Sequence, residues 1–457
     1  MIFGGKRKIY LALGKYTFMK SLEKLGKFYL SDLSASAPYK DGKIVSDALS
    51  RALKTYSEIY IPAGKYYIDR SLIVPSDTKI YADEHAEIIL IKGVKTLLLR
   101  NENVIDGSDN AISEDAPCDK NIAICGGVWG EENKERLGYG ASGRFDENDT
   151  FHGVSTCFLF SGVRGLTLKN LTFRSTAGFA CQIGRVSDFA IENIRFENCF
   201  ADGLHVNGGV KNGVIKNLSG HTEDDLIALN AYDWDNSSIN FGAIENLEVD
   251  GVHSESGINA HKSFRIQPGV YPYQSGEKED CYIKNLTVKN VSGVTTFKMY
   301  LQTSAYTDFP EKEIGVGRIE NAVFENISAD TVSPVDKQPN YLNGNPVTGN
   351  FATFEIGSNV KNLRLINVNA KLNREKYPNS YFMTVGPKSQ YIAEKKLELF
   401  DPYVSCTAEN ITYKNIRINN RLTDDLSVYV KVVEFDRLYP SKLPFGKGKI
   451  VSIEREK

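Results

Sequence analysis

The sequence is poor in the features that mark a membrane protein, a stapled scaffold or a metal centre. No apolar run approaches the ~20 residues needed to span a bilayer, so no membrane partner is expected. The N-terminal MIFGGKRKIYLALGKYTF is basic, but Gly and Lys interrupt its apolar residues, and no clear cleavage site follows. The seven cysteines run from Cys118 to Cys406 without paired spacing and without a C-x-x-C. A disulfide framework and a zinc site are therefore not expected. Reduced, mostly buried cysteines are, and with them a cytoplasmic location unless a signal has been removed. The formal net charge of −2 has both signs scattered along the chain, which argues against nucleic acid as a partner.

What the chain does have is a repeat. After one amphipathic segment, KIVSDALSRALK at 43–54 with Ile44, Val45, Ala48, Leu49 and Leu53 at helical spacing, strand patterns take over. An aliphatic-x-Asn-aliphatic-x-aliphatic motif recurs with its asparagine at Asn170, Asn193, Asn217, Asn246, Asn285, Asn321, Asn362 and Asn410. The steps are 23 and 24 residues at first and then lengthen to between 29 and 48. A second apolar strand follows each copy, as in DGLHVN, DDLIALN and FRIQPG. A coil of this size cannot bury its own apolar face, so successive coils must stack. The expected fold is all-β, a right-handed parallel β-helix with a short N-terminal capping helix. Residues 1–40 are read as an N-terminal extension that packs on the solenoid, and 41–457 as the catalytic β-helix domain. The longer coils carry insertions at 230–241, 253–263, 270–280, 303–315, 330–350 and 387–405, which would flank a groove. Five repeat-region asparagines, Asn170, Asn217, Asn285, Asn326 and Asn410, also match the glycosylation pattern. Stacked side chains bonding along the solenoid explain their recurrence better.

The chemistry concentrates between Asp202 and Asn230. Aligning Val206-Asn207 with Leu229-Asn230 places Asp202 opposite Asp225, one coil apart, with Asp224 as an additional acid. Isolated aspartates commonly cap turns. Three in register on consecutive coils repel one another and raise at least one pKa, so that one carboxyl keeps its proton while its neighbours stay ionised. Glycoside hydrolysis needs that asymmetry.

These residues resemble a known family. ADG at 201–203 looks like the Asn-Thr-Asp-Gly motif, and EDD at 223–225 like the Gly-Asp-Asp motif, of polygalacturonase-type glycoside hydrolases, family 28 in the pectin lyase-like superfamily. RIQ at 265–267 resembles the family's Arg-Ile-Lys motif, and Tyr300 falls where the family places a substrate-contacting tyrosine. The resemblance covers roughly residues 40–420. It implies hydrolysis of α-linked galacturonic acid or related uronide oligosaccharides, without cofactor or metal. Asp224 would be the general acid, and Asp202 and Asp225 would position and deprotonate the water. The implied course is inverting, with the carboxyl groups roughly 6.5–9.5 Å apart. Exo action is expected if the insertions close one end of the groove.

The chain also departs from the pattern. The family's Gly-His-Gly coil is missing, leaving His205, His221, His253 and His261 as candidates, of which His205 and His261 are best placed to bind substrate. Gln267 replaces the motif lysine, and Lys298, one coil on, is the candidate to restore the charge beside Arg265. Ala201 and Glu223 replace the usual neighbours of the aspartates. Tyr232, Trp234, Tyr271, Tyr273 and Trp129 are candidates for stacking on sugar rings. Two other readings use the same fold: a polysaccharide lyase that holds a cation on the acids, and a non-catalytic carbohydrate-binding β-helix of the tailspike or adhesin kind.

Overall fold

The recurrent asparagines stand where each coil bends. The computed structural model describes residues 25–31, 36–94, 96–104, 118–134, 156–233, 239–255, 263–272, 277–301, 316–331, 350–386, 388–389, 405–433, 436–437 and 448–456. In it two columns of left-handed residues run along the solenoid, five positions apart in each coil, with asparagine φ values between 53° and 58°. Asparagine tolerates this conformation better than most residues, and its short amide can bond locally. In one column Nδ2 of each residue donates to the preceding coil: Asn212 to Asp188, Asn246 to Asn212, Asn285 to Asn246, Asn321 to Asn285, Asn362 to Asn321 and Asn410 to Asn362, at 2.7–3.1 Å. The other runs Asn170, Asn193, Asn217 and then, past Gly251, Asn290, Asn326, Asn367 and Asn415. At the glycine the ladder is bridged by Asn290 donating to Asp250 at 2.6 Å.

The two columns correct the repeat spacing. Asn170, Asn193 and Asn217 belong to one ladder, while Asn246 and the later motif residues belong to the other. The 29-residue step is thus a jump between ladders, and the coil from Asn212 to Asn246 has 34 residues. The sequence motif is the same at both corners, so the pattern alone could not separate them.

Parallel pairing is continuous along the chain. Thr156–Arg174, Phe179–Cys199, Val210–Thr222, Ile244–Ser254, Ile283–Val294, Arg318–Thr331, Asn359–Leu372 and Cys406–Lys414 pair in that order. A second run, the site face, goes from Phe179–Cys199 through Leu204–Asn207, Ile227–Asn230, Ser263–Gln267, Thr296–Met299 and Phe351–Ile356 to Ser380–Val385. The fold is the expected parallel β-helix. Register places like on like inside it: Leu204, Ile227, Phe264, Phe297, Phe354 and Met383 form one buried column. Phe297 and Phe354 stack at 4.9 Å between ring centres, close to the strand spacing.

The expected helix spans Ser46–Thr55 and buries Leu49, Ala52 and Leu53. Leu25–Tyr29 pairs in parallel with Tyr56–Ile61, so this part of residues 1–40 is itself a strand of the solenoid. The cysteines are unpaired, and Cys157, Cys181, Cys199, Cys281 and Cys406 are buried. No helix among the described residues is long and apolar enough to cross a membrane.

Candidate active site

Stacking coils bring the aspartates together. Leu204 pairs with Ile227, which sets Asp202 and Asp225 side by side at the entry to the site face. The peptide N–H of Asp225 donates to Asp202 Oδ1 at 3.2 Å and to Asp224 Oδ1 at 3.0 Å. One carboxylate oxygen from each of Asp202, Asp224 and Asp225 lies within 4.8 Å of the others. Asp202 and Asp225 are buried and Asp224 is half-buried, so Asp224 is the member that reaches outward.

The nearest oxygens of the three groups are thus closer than the roughly 6.5–9.5 Å that separates whole carboxyl groups in an inverting pair. The cause is architectural. Adjacent coils are about one strand spacing, ~4.8 Å, apart, and Asp224 is the chain neighbour of Asp225.

Cations hold the cluster together. Arg265 Nε donates to Asp225 Oδ2 at 2.6 Å, Ser263 Oγ donates to Oδ1, and Lys298 Nζ lies 3.9 Å from Oδ1. Burial works against the charge of Arg265, but Asp225, Asp224, Asp202 and Asp233 more than offset it and hold its proton. Lys298 is 3% exposed, and among the described residues its ammonium has no hydrogen-bond partner beyond the longer ion pair with Asp225. Burial, reinforced by Asp224 and Asp225, pushes Asp202 up to about 6, although its bond to His205 pulls the other way. The three acids are also the donor set that a lyase's cation would use, but Arg265 and Lys298 already lie against Asp225.

His205 is brought to the cluster. Its ring is 2% exposed, bonds to Asp202 at 2.6 Å and Asp233 at 2.9 Å, and stacks on Phe179 at 3.9 Å. Burial disfavours its charge, but the two carboxylates raise it to about 9. Direct substrate contact is therefore not its position; it faces outward from the barrel but under cover. Gln267 is corrected likewise. It is fully buried, and its amide donates to the carbonyl of Tyr232 at 2.7 Å, which pins the insertion rather than facing a ligand. Tyr300 is 5% exposed beside Lys298. His253 is exposed and bonds Ser292, away from the acids, while His221 is half-buried.

The aromatic candidates pack instead of lining a rim. Trp129 is a core residue edge-on to Phe158, with its indole N–H on the carbonyl of Gly126. Tyr271 stacks on Phe241 at 3.5 Å and meets Tyr232 edge-on. His261, Trp234 and Tyr273 lie outside the described residues.

Sequence reasoning missed Asp233, Ser263 and Glu355. Ser263 and Glu355 were legible as the outward positions beside Arg265 and Lys298, and Glu355 pairs in register with Lys298. Asp233 had no signal, because it belongs to an insertion outside the repeat.

No known family and no curated protein sequence matches this chain. Solved structures do. A family 28 exopolygalacturonase of Yersinia enterocolitica is 13% identical with a TM-score of 0.46, covering 89% of this chain and 78% of that one. A mannuronan C-5 epimerase module of Azotobacter vinelandii is 9% identical with a TM-score of 0.38, covering 94% and 100%. A surface adhesin of Streptococcus pneumoniae is 11% identical with a TM-score of 0.38, covering 87% and 91%. Likenesses this distant assign no activity; the site has to carry it.

Proposed function

We propose that the chain is a glycoside hydrolase that releases α-linked galacturonic acid, or a related uronide, from the ends of oligosaccharides. The observation that supports this reading is the trio of close carboxylates with unequal surroundings. Asp224, the outermost, protonates the glycosidic oxygen. Asp202 and Asp225, held by His205 and by Arg265 with Ser263, orient and deprotonate the water. Lys298 is the acceptor-seeking cation for the substrate carboxylate, since Arg265 already spends its Nε on Asp225. Direct displacement with inversion is the proposed course, and the anomer released first tests it. Retention, the outcome associated with carboxyl groups roughly 5–5.5 Å apart, would recast Asp202 as a nucleophile.

The deciding experiment is incubation with oligogalacturonides, rhamnogalacturonan and neutral α-glycans, comparing wild type with Asp224→Asn. Cleavage that survives unchanged in that variant would sink the mechanism. A rapid viscosity drop on long polymer with little reducing sugar would exclude end-wise action.

The close approach of three acids also favours one second reading, a cation-dependent lyase. An unsaturated product absorbing in the ultraviolet, lost on chelation, would decide for it.

A further inference from the structure

The imidazole of His205 is gripped at both nitrogens. Nδ1 lies 2.6 Å from Asp202 Oδ2, and Nε2 lies 2.9 Å from Asp233 Oδ2. Where both carboxylates are ionised they can only accept, so both ring nitrogens donate and the ring is an imidazolium. The amides of Asn207 and Asn230 approach Nε2 only at 3.3 and 3.4 Å, longer than either carboxylate contact.

The surroundings isolate this ion. Phe179 covers one face of the ring, and its strand partners are Gln182 and Ala228, neither charged. Ala228 separates His205 from Arg265 by two strand spacings, roughly 9–10 Å. Among the described residues, the charges facing the ring are Asp202 and Asp233, with Asp224 and Asp225 behind Asp202 and Arg265 beyond them. Asp233 is itself oriented from the site face: Asn230 Nδ2 donates to its Oδ2 at 2.9 Å, and Gln267 Nε2 lies 3.4 Å from its Oδ1.

We propose that His205 is a positioning residue that keeps Asp202 ionised beside Asp224 and couples it, through Asp233, to the turn at 231–233. The role given to Asp202 rests on the hydrolase reading; the clamp itself does not. Without the imidazolium, a buried carboxyl beside two other carboxylates keeps its proton and cannot serve as a base. Without Asp233, one ring N–H loses its carboxylate, the ring releases its proton more easily, and Asp202 loses its cation.

Nitrogen NMR on histidine-labelled protein tests the clamp apart from activity. In the wild type both His205 nitrogens should carry protons at pH 7. In Asp233→Asn the ring should titrate lower by about one to three units. A neutral His205 at pH 7 in the wild type, or an unmoved titration in Asp233→Asn, would overturn the clamp. In turnover, His205→Gln and Asp233→Asn should both move the acidic limb of the kcat/KM profile upward, by one unit or more in His205→Gln. Limbs left in place would overturn the positioning role even if activity fell. If the wild type cleaves no glycan, the hydrolase reading and the role of Asp202 fall with it, while the NMR result still decides the clamp.

Discussion

The peptide N–H of Asp225 donates to Oδ1 of Asp202 over 3.2 Å, although 23 residues separate them. One coil length thereby becomes one hydrogen bond, and the acid of one turn is fixed by the backbone of the next. Chemistry at this site depends on solenoid register as much as on the side chains.

Asp224→Asn should lower kcat/KM on a cleaved oligosaccharide by about 10²–10⁴-fold, the usual contribution of a positioned acid. Its half-buried position predicts a nearly unchanged melting temperature. A comparable loss of stability would mean that the residue is architectural.

Stability should fall as pH rises through the alkaline range. His205 is raised to about 9 from an ordinary 6.5, so the folded state holds an extra proton between those values. The stabilisation is complete below the unfolded value and lost as pH passes through the folded one, on the order of 3 kcal/mol in all. Asp202, raised to about 6, acts in the same direction at lower pH, losing its contribution as pH rises through that value. Denaturation midpoints across pH 6–10 should slope downward in the wild type and flatten in His205→Gln.

Lys298→Met should raise KM for a uronide at least tenfold, and by more than for a neutral glycan. The same change removes the buried ammonium that lies 3.9 Å from Asp225 Oδ1. Because buried Asp225 then loses a counter-charge, stability should fall. A variant both less stable and unchanged in KM would show that the lysine serves only Asp225.

Gly203 lies between Asp202 and the site face. A Cβ there would stand 2.6 Å from the carbonyl oxygen of Leu226 and 2.9 Å from the Phe196 ring. Because backbone is the obstacle, Gly203→Ala should displace the turn that carries Asp225. Loss of activity with a lowered melting temperature is expected; wild-type turnover would show that the turn tolerates the shift.

At Asn285, in the middle of a ladder, replacement by alanine removes the bonds to Asn246 and Asn321 and leaves a φ of 55° without an asparagine. The cost should be about 2–3 kcal/mol. Glycine should cost less, since Gly251 already occupies such a position with φ 80°. Melting curves of the two variants give the comparison directly.

The fold was legible because stacking demands a repeat, and a repeat survives in sequence. The aspartate trio was legible for the same reason: Asp202 and Asp225 occupy equivalent positions. Asp233 was not, since nothing in an insertion's composition tells where it folds back. The burial of His205, Gln267 and Tyr271 was equally hidden. Alternation along a strand says which side chains point out of the barrel, but not which of them an insertion then covers. The two asparagine corners were merged because both require the same left-handed residue.

The ladder acts as a ruler. Between Asn170 and Asn193 a coil has 23 residues, and between Asn362 and Asn410 it has 48, yet the amide bonds at those steps differ only from 2.9 to 2.7 Å. Coil length can therefore more than double without changing the axial step between ladder residues. Loop length can vary from coil to coil while the pitch that sets Asp225 beside Asp202 is kept, but not at 231–233, where Asp233 is tied to the ring of His205.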